Sequence, residues 1–253
     1  MTDYLLVHGP GQGSWVWGKV WGRMTAPVEH PPTLHKPRRA NRVHPVDLPG
    51  HGPDAQGDTA AIRLEECVNA IIHAVEQEQL KDVVLVGYGI SGGIVLEAAK
   101  QLPAPPKRLA LLGAAVPTGQ RPLISSCANG VRSWFQLSSL FSALSRREFK
   151  FSGPVINRFL CNTMEAMEIV QILGFFGPLP TRLLKSRLST EAFSDLPAPL
   201  TCIVLTEDRL VTPAAQRRTA ERLNSEETLE IDACHMAAWQ KPEAVADALL
   251  RYA

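Results

Sequence analysis

Short apolar runs rich in β-branched residues recur along the chain, each closed by glycine, proline or charged residues. Six of them, at 4–7, 43–48, 83–86, 109–112, 200–205 and 228–231, read as buried strands. Helical spacing follows most of them. Between 60 and 78, Leu64, Cys67, Val68, Ile71 and Val75 fall three or four residues apart, so one face of a helix is apolar. The stretches 91–101, 213–223 and 241–252 read the same way, and the tryptophan-rich segment from Trp15 to Trp21 is also helical in pattern. Strands without polar alternation, separated by helices, predict an α/β fold with a mostly parallel sheet of about six strands covered on both faces.

One long stretch breaks this rhythm. From 117 to 195 the chain shows no strand-like run, only helical pattern rich in Phe, Leu and Met. Its length suits an inserted helical cap over the carboxyl edge of the sheet, where open α/β sheets take their ligands. The expected organisation is a core of 1–116 and 196–253, with a cap (lid) at 117–195.

Charge narrows the partners. With 26 basic against 25 acidic residues the net charge is +1, which leaves no electrostatic footprint for nucleic acid or an anionic membrane. The apolar run after Met1-Thr2-Asp3 is too short for a signal peptide, and no run approaches the roughly 18 apolar residues of a membrane span. The five cysteines are scattered with no C-x-x-C pair, the usage of reduced thiols in a cytoplasmic protein. The segment 24–42 is proline-rich and basic, carrying Lys36, Arg38, Arg39 and Arg42. Its His30 and His35, with His44 just beyond, match no metal-ligand spacing, and a solvated loop is the expectation.

Chemistry enters at "VVLVGYGISGG", residues 83–93. A strand runs into a glycine corner and a helix leaves it, the outline of a nucleophile elbow, G-x-S-x-G. The tip here is Gly89, and Ser91 sits two residues late, in the first helical turn, where serine ordinarily caps or packs. Asp208 follows the fifth strand and His235 the sixth. Because parallel strands end at one edge, these two can meet there as a base and the group that fixes its tautomer. Cys234, beside His235, is expected to point away from the corner.

The segments "LLVHGPGQGSWVWGKV", "VDLPGHG", "VLTEDRLVTPAAQRR" and "ACHMAAWQKPEAVADALL" resemble the plant hydroxynitrile lyase and methylesterase family of α/β-hydrolases, over residues 4–252. The resemblance implies an α/β-hydrolase fold with a cap, no metal and no organic cofactor. It implies a small apolar pocket for a small-molecule substrate, placed among His8, Gly9, Tyr88, Trp134 and Met236. A homodimer follows by analogy alone. Lyases of the family carry a Lys after the catalytic His and a Thr after the first-strand His. Met236 and Gly9 are the esterase-like pair. The family's nucleophilic serine falls on Gly89, and its two oxyanion-hole amides fall on Ile90 and Pro10. Proline has no N–H, so one donor is missing unless the loop shifts by one and presents Gly11.

Loss of the serine removes a covalent route worth on the order of 10⁶-fold, whereas a positioned His–Asp dyad alone still contributes about 10²–10⁴-fold. The expectation is therefore non-covalent acid–base chemistry of lyase, decarboxylase, cyclase or isomerase type. The substrate is a small, largely apolar carbonyl or ester-like compound, with room above Gly89 for a water or a reacting atom. The methyl ketone synthases, relatives with alanine at the same position, decarboxylate β-keto acids. Two alternatives stand beside this: an esterase acting through activated water or Ser91, and a non-catalytic pseudo-hydrolase that binds a small molecule. The aromatic residues Trp134, Phe135, Phe141, Phe149, Phe151, Phe159, Phe175 and Phe176 are expected to be mainly cap core, with a minority facing the pocket. Trp15, Trp17 and Trp239 are expected in the core.

Overall fold

The structure, a computed structural model, describes residues 2–26, 41–53, 55, 57–145, 148–188 and 195–252. Six strands form one parallel sheet in the order β2-β1-β3-β4-β5-β6. They are β1 (Asp3–Val7), β2 (Arg42–Val46), β3 (Val83–Tyr88), β4 (Arg108–Leu112), β5 (Leu200–Leu205) and β6 (Glu227–Ile231). The central strands β1, β3 and β5 are buried along their whole length, as continuous apolar runs in a sheet covered on both faces require.

Outside the sheet lie α1 (Gly18–Thr25), α2 (Leu64–Gln77) and α3 (Ser91–Gln101). Between β4 and β5 comes a helical excursion: α4 (Asn129–Ser145), α5 (Gly153–Val155) running into a π-helical turn at Ile156–Leu160, α6 (Ala166–Leu173) and α7 (Thr181–Lys185). The chain closes with α8 (Pro213–Arg222), α9 (Ala237–Gln240) and α10 (Pro242–Leu250). Among the described residues no helix is long and apolar enough to cross a membrane.

Several expected boundaries move, as where β3 runs on to Tyr88. The second strand stops at Val46, because the Leu48 N–H leaves the ladder and donates to His8 Nε2 at 3.1 Å. The first helical segment divides into a 3₁₀ turn at Ser14–Trp17 and then α1. Pro45 sits within β2, which is tolerated because that strand is an edge of the sheet.

Of the basic loop at 24–42, residues 27–40, with His30, His35, Lys36, Arg38 and Arg39, lie outside the described residues. Arg42 pairs with the buried Asp3, Nε to Oδ1 at 2.9 Å with a second contact from Nη2 to Oδ2. His44 faces Glu78 at 3.5 Å. The five cysteines are all free and buried.

Candidate active site

The corner after β3 needs glycine twice, for different reasons. At Gly87 a Cβ would lie 2.7 Å from the Gly92 Cα, so the strand and the first turn of α3 approach too closely for a side chain. At Gly89 the backbone takes φ +58°, a left-handed conformation that strains other residues. The Gly89 N–H continues the sheet, donating to the Leu112 carbonyl at 2.9 Å. The sharp strand-to-helix turn read from the sequence is therefore present, with Gly89 at its tip and Ile90 beside it at the N-terminus of α3, where amides lack intrahelical partners.

Asp208 and His235 meet as expected from their strand ends, with His235 Nδ1 2.7 Å from Asp208 Oδ2. The loop after β5 holds the carboxylate tightly: Oδ1 accepts the Leu210 and Val211 amides at 2.8 and 2.9 Å. Sequence reasoning missed a fourth donor, Gln216 Nε2, which reaches Oδ2 at 3.0 Å. Gln216 is itself fixed, accepting the Leu205 N–H at 2.9 Å and donating to the Val211 carbonyl at 2.6 Å. With both oxygens engaged as acceptors, Asp208 holds the proton of the neutral imidazole on Nδ1 and leaves Nε2 as the basic atom.

Behind the imidazole, Tyr88 forms a shelf. Its ring stacks at 5.3 Å and 29° from the His235 ring, and its hydroxyl donates to the His235 carbonyl. Burial pushes the Tyr88 phenol well above its ordinary pKa, so it remains a donor. His235 is 2 % exposed, and it faces a narrow cavity of about 20 Å³. The walls include Gly9, Pro10, Gln12, Ile90, Cys127, Val131, Leu160 and Leu210, with Trp134, Phe135 and Phe151 from the helical excursion. Among the described residues no Lys, Arg, Asp or Glu contributes to these walls.

The expected pocket residues divide. Gly9 and Trp134 line the cavity, whereas His8, Tyr88 and Met236 are fully buried and lie outside its walls. His8 is structural: Nε2 accepts the Leu48 N–H and Nδ1 donates to the Gly9 carbonyl at 2.8 Å. Burial, with His51 beside it, pushes its pKa down to about 3, so it stays neutral. Of the eight cap aromatics, Trp134, Phe135 and Phe151 reach the cavity. Phe149 and Phe176 are buried elsewhere, Phe159 is half-buried, and Phe141 and Phe175 are exposed. Trp17 is core as expected, while Trp15 and Trp239 only pack against the core's edge.

Two alternatives left open by the sequence fall away, and one expectation is corrected. Ser91 is fully buried and donates to the His8 carbonyl at 2.6 Å, tying α3 to β1 and removing it from any nucleophilic role. The loop shift that would free Gly11 does not occur, because its N–H donates to His51 Nε2 at 3.1 Å. The space expected above Gly89 is partly closed: a Cβ there would lie 2.9 Å from His235 Cε1 and 3.0 Å from Nε2. The ring has settled against the bare tip, since nothing on residue 89 holds it away. Cys234 is fully buried with its thiol pKa raised by burial, which leaves it inert.

Known proteins share this architecture. Methylesterase 9 of Arabidopsis thaliana is 27% identical over 264 residues, spanning 100% of this chain and 98% of that protein. An extracellular alpha/beta-hydrolase from a Paenibacillus species superposes with a TM-score of 0.82 at 18% identity, covering 100% of this chain and 98% of that one. It is described as sharing structural and functional homology with tobacco salicylic acid binding protein 2. A tomato methylketone synthase variant in complex with β-ketoheptanoate gives 0.69 at 14% identity, covering 100% and 98%. The model of the alpha/beta hydrolase family matches residues 4–248, and the chain belongs to that family.

Proposed function

We propose that this chain catalyses non-covalent acid–base chemistry, of lyase, decarboxylase, cyclase or isomerase type, on a small and largely apolar carbonyl compound. His235 Nε2 takes a proton from, or returns one to, an atom next to the substrate carbonyl, and Asp208 fixes the tautomer that allows this. In isomerisation the C–H electron pair moves onto the carbonyl oxygen as an enolate, and the proton taken by Nε2 is returned to carbon. In decarboxylation Nε2 takes the proton of the acid, the C–C pair moves onto the carbonyl oxygen as CO₂ leaves, and the same proton is delivered to the carbon. Gly89 stands where the family's serine would stand, so no acyl-enzyme forms there.

The observation that carries this reading is the contact between the imidazole edge and the bare tip, with a Cβ at Gly89 placed 3.0 Å from Nε2. A base that would face a nucleophile here faces the cavity instead. The walls add support: with no Lys or Arg in them among the described residues, a carboxylate carried in loses its water without gaining a fixed cation, which favours loss of CO₂. The relative crystallised with a β-keto acid fits the same chemistry.

The test is a panel of β-keto acids, small ketones and p-nitrophenyl esters, assayed with wild type and His235→Ala. A drop of about 10²-fold or more in conversion supports the reading, and conversion unaffected by His235→Ala overturns it. Hydrolysis by a water activated on His235 is the second reading, favoured by the full-length similarity to a methylesterase. Turnover confined to the esters of the panel would select it.

A further inference from the structure

We propose that the Gln12 carboxamide takes the place of the oxyanion donor that Pro10 lacks, donating through Nε2 to the substrate oxygen on which negative charge develops. This rests on the acid–base reading of His235, because that chemistry drives an electron pair onto such an oxygen.

From Gly9 to Gln12 the backbone of the loop after β1 has no amide to spare for this task. The Gly9 N–H donates to Gln12 Oε1 at 2.9 Å, Pro10 has none, the Gly11 N–H goes to His51 Nε2 at 3.1 Å, and the Gln12 N–H goes to the Gly9 carbonyl at 3.1 Å. Yet Gln12, Ile90 and His235 are walls of one cavity. Gln12 is thus the residue of this loop that brings a side-chain amide to the cavity wall.

The Gln12 amide is also oriented and under-satisfied. Its oxygen is fixed by the Gly9 N–H, which settles which end is the nitrogen. Gln12 is 3 % exposed, and its Nε2 donates to the Met236 sulfur at 3.4 Å. A thioether is a weak acceptor, and an amide nitrogen carries two protons. Burying such a donor without a full partner is unfavourable, unless a ligand oxygen completes it. Gln12 also shares the walls of one cavity with the base.

The probe is 4-nitrophenolate, an anionic oxygen on a small flat ring, against 4-nitrotoluene, its uncharged counterpart of similar shape. Gln12→Met should weaken 4-nitrophenolate binding by about ten- to a hundredfold and leave 4-nitrotoluene within about twofold. An equal loss for both ligands, or phenolate affinity unchanged by the substitution, overturns the proposal. Because Gln12→Met strands the Gly9 N–H and can fail to fold, a second readout uses wild type. A Gln12 side-chain amide proton should move downfield in ¹⁵N-edited NMR on titration with 4-nitrophenolate and stay in place with 4-nitrotoluene. An unmoved resonance at saturating phenolate, or no binding of phenolate at all, overturns it. Both readouts are equilibrium binding, so their failure is separate from a failure of His235→Ala to reduce turnover.

Discussion

His235 Nε2 sits 3.0 Å from the point where a Cβ on Gly89 would be, a distance that ordinary side-chain contacts rarely show. The imidazole and the elbow tip have closed on each other in a way that a side chain at position 89 would prevent. Asp208 anchors the other edge of the ring at 2.7 Å, so a small pivot about that bond is the available adjustment.

Gly89→Ser therefore requires His235 to yield by a few tenths of an ångström at a residue with φ +58°. The left-handed backbone alone costs about 1–2 kcal/mol, and thermal unfolding should show a loss of that order. In return the variant should hydrolyse p-nitrophenyl esters at least about tenfold faster than wild type, with an acyl adduct at position 89 in the intact mass. Esterase activity no higher than wild type would mean that residue 89 is not at the reactive corner.

Ser91→Ala separates the two serine readings. Its hydroxyl is bonded to the His8 carbonyl at 2.6 Å, so the substitution should lower stability by about 1 kcal/mol. Turnover of any substrate found should remain within about twofold. A larger loss of turnover at unchanged stability would return Ser91 to the chemistry.

Gln216→Leu tests the support of the acid. It removes one donor to Asp208 and the acceptor of the Leu205 N–H, both buried, so about 1–3 kcal/mol of stability should be lost. Turnover should fall through kcat with KM little changed, because the residue positions Asp208 and does not line the cavity. A rise in KM alone would contradict a positioning role.

Much of the fold could be read from hydrophobic pattern because a buried parallel strand has to be a continuous apolar run. Residues 91–101 are helical as expected, and β5 coincides with its sequence assignment. The dyad was legible because Asp208 and His235 each follow a strand, and strand ends converge. Gln12 and Gln216 were not legible. A glutamine carries no periodic signal, and their partners, Met236 and Asp208, are fixed only by tertiary contact. His51 was hidden inside a turn signal, and its acceptance of the Gly11 N–H shows only in space. The closing of His235 onto Gly89 was invisible for another reason. Sequence shows that a side chain is missing, while what moves into its place depends on the packing of Tyr88 and Asp208 around the ring.

Acid should weaken the fold through the buried histidines. Burial lowers the pKa of both His8, to about 3, and His51. In the unfolded chain they protonate near the ordinary value of about 6.5. The unfolded state thus binds more protons below that value, and stability declines as pH falls from about 6.5 toward 3. The urea midpoint at pH 5 should be lower than at pH 7, and an equal or higher midpoint at pH 5 would contradict the neutral, buried state assigned to both rings.

The most direct test of His235 as a base acting without a nucleophile is proton exchange at the carbon next to a carbonyl. Small apolar ketones incubated in D₂O can be followed by ¹H NMR with wild type and with His235→Ala. Wild type should catalyse deuterium incorporation about 10²-fold faster than the variant, with no covalent adduct in the intact-protein mass. Equal exchange rates across the ketone series, or an acyl adduct on wild type, would contradict that role for His235.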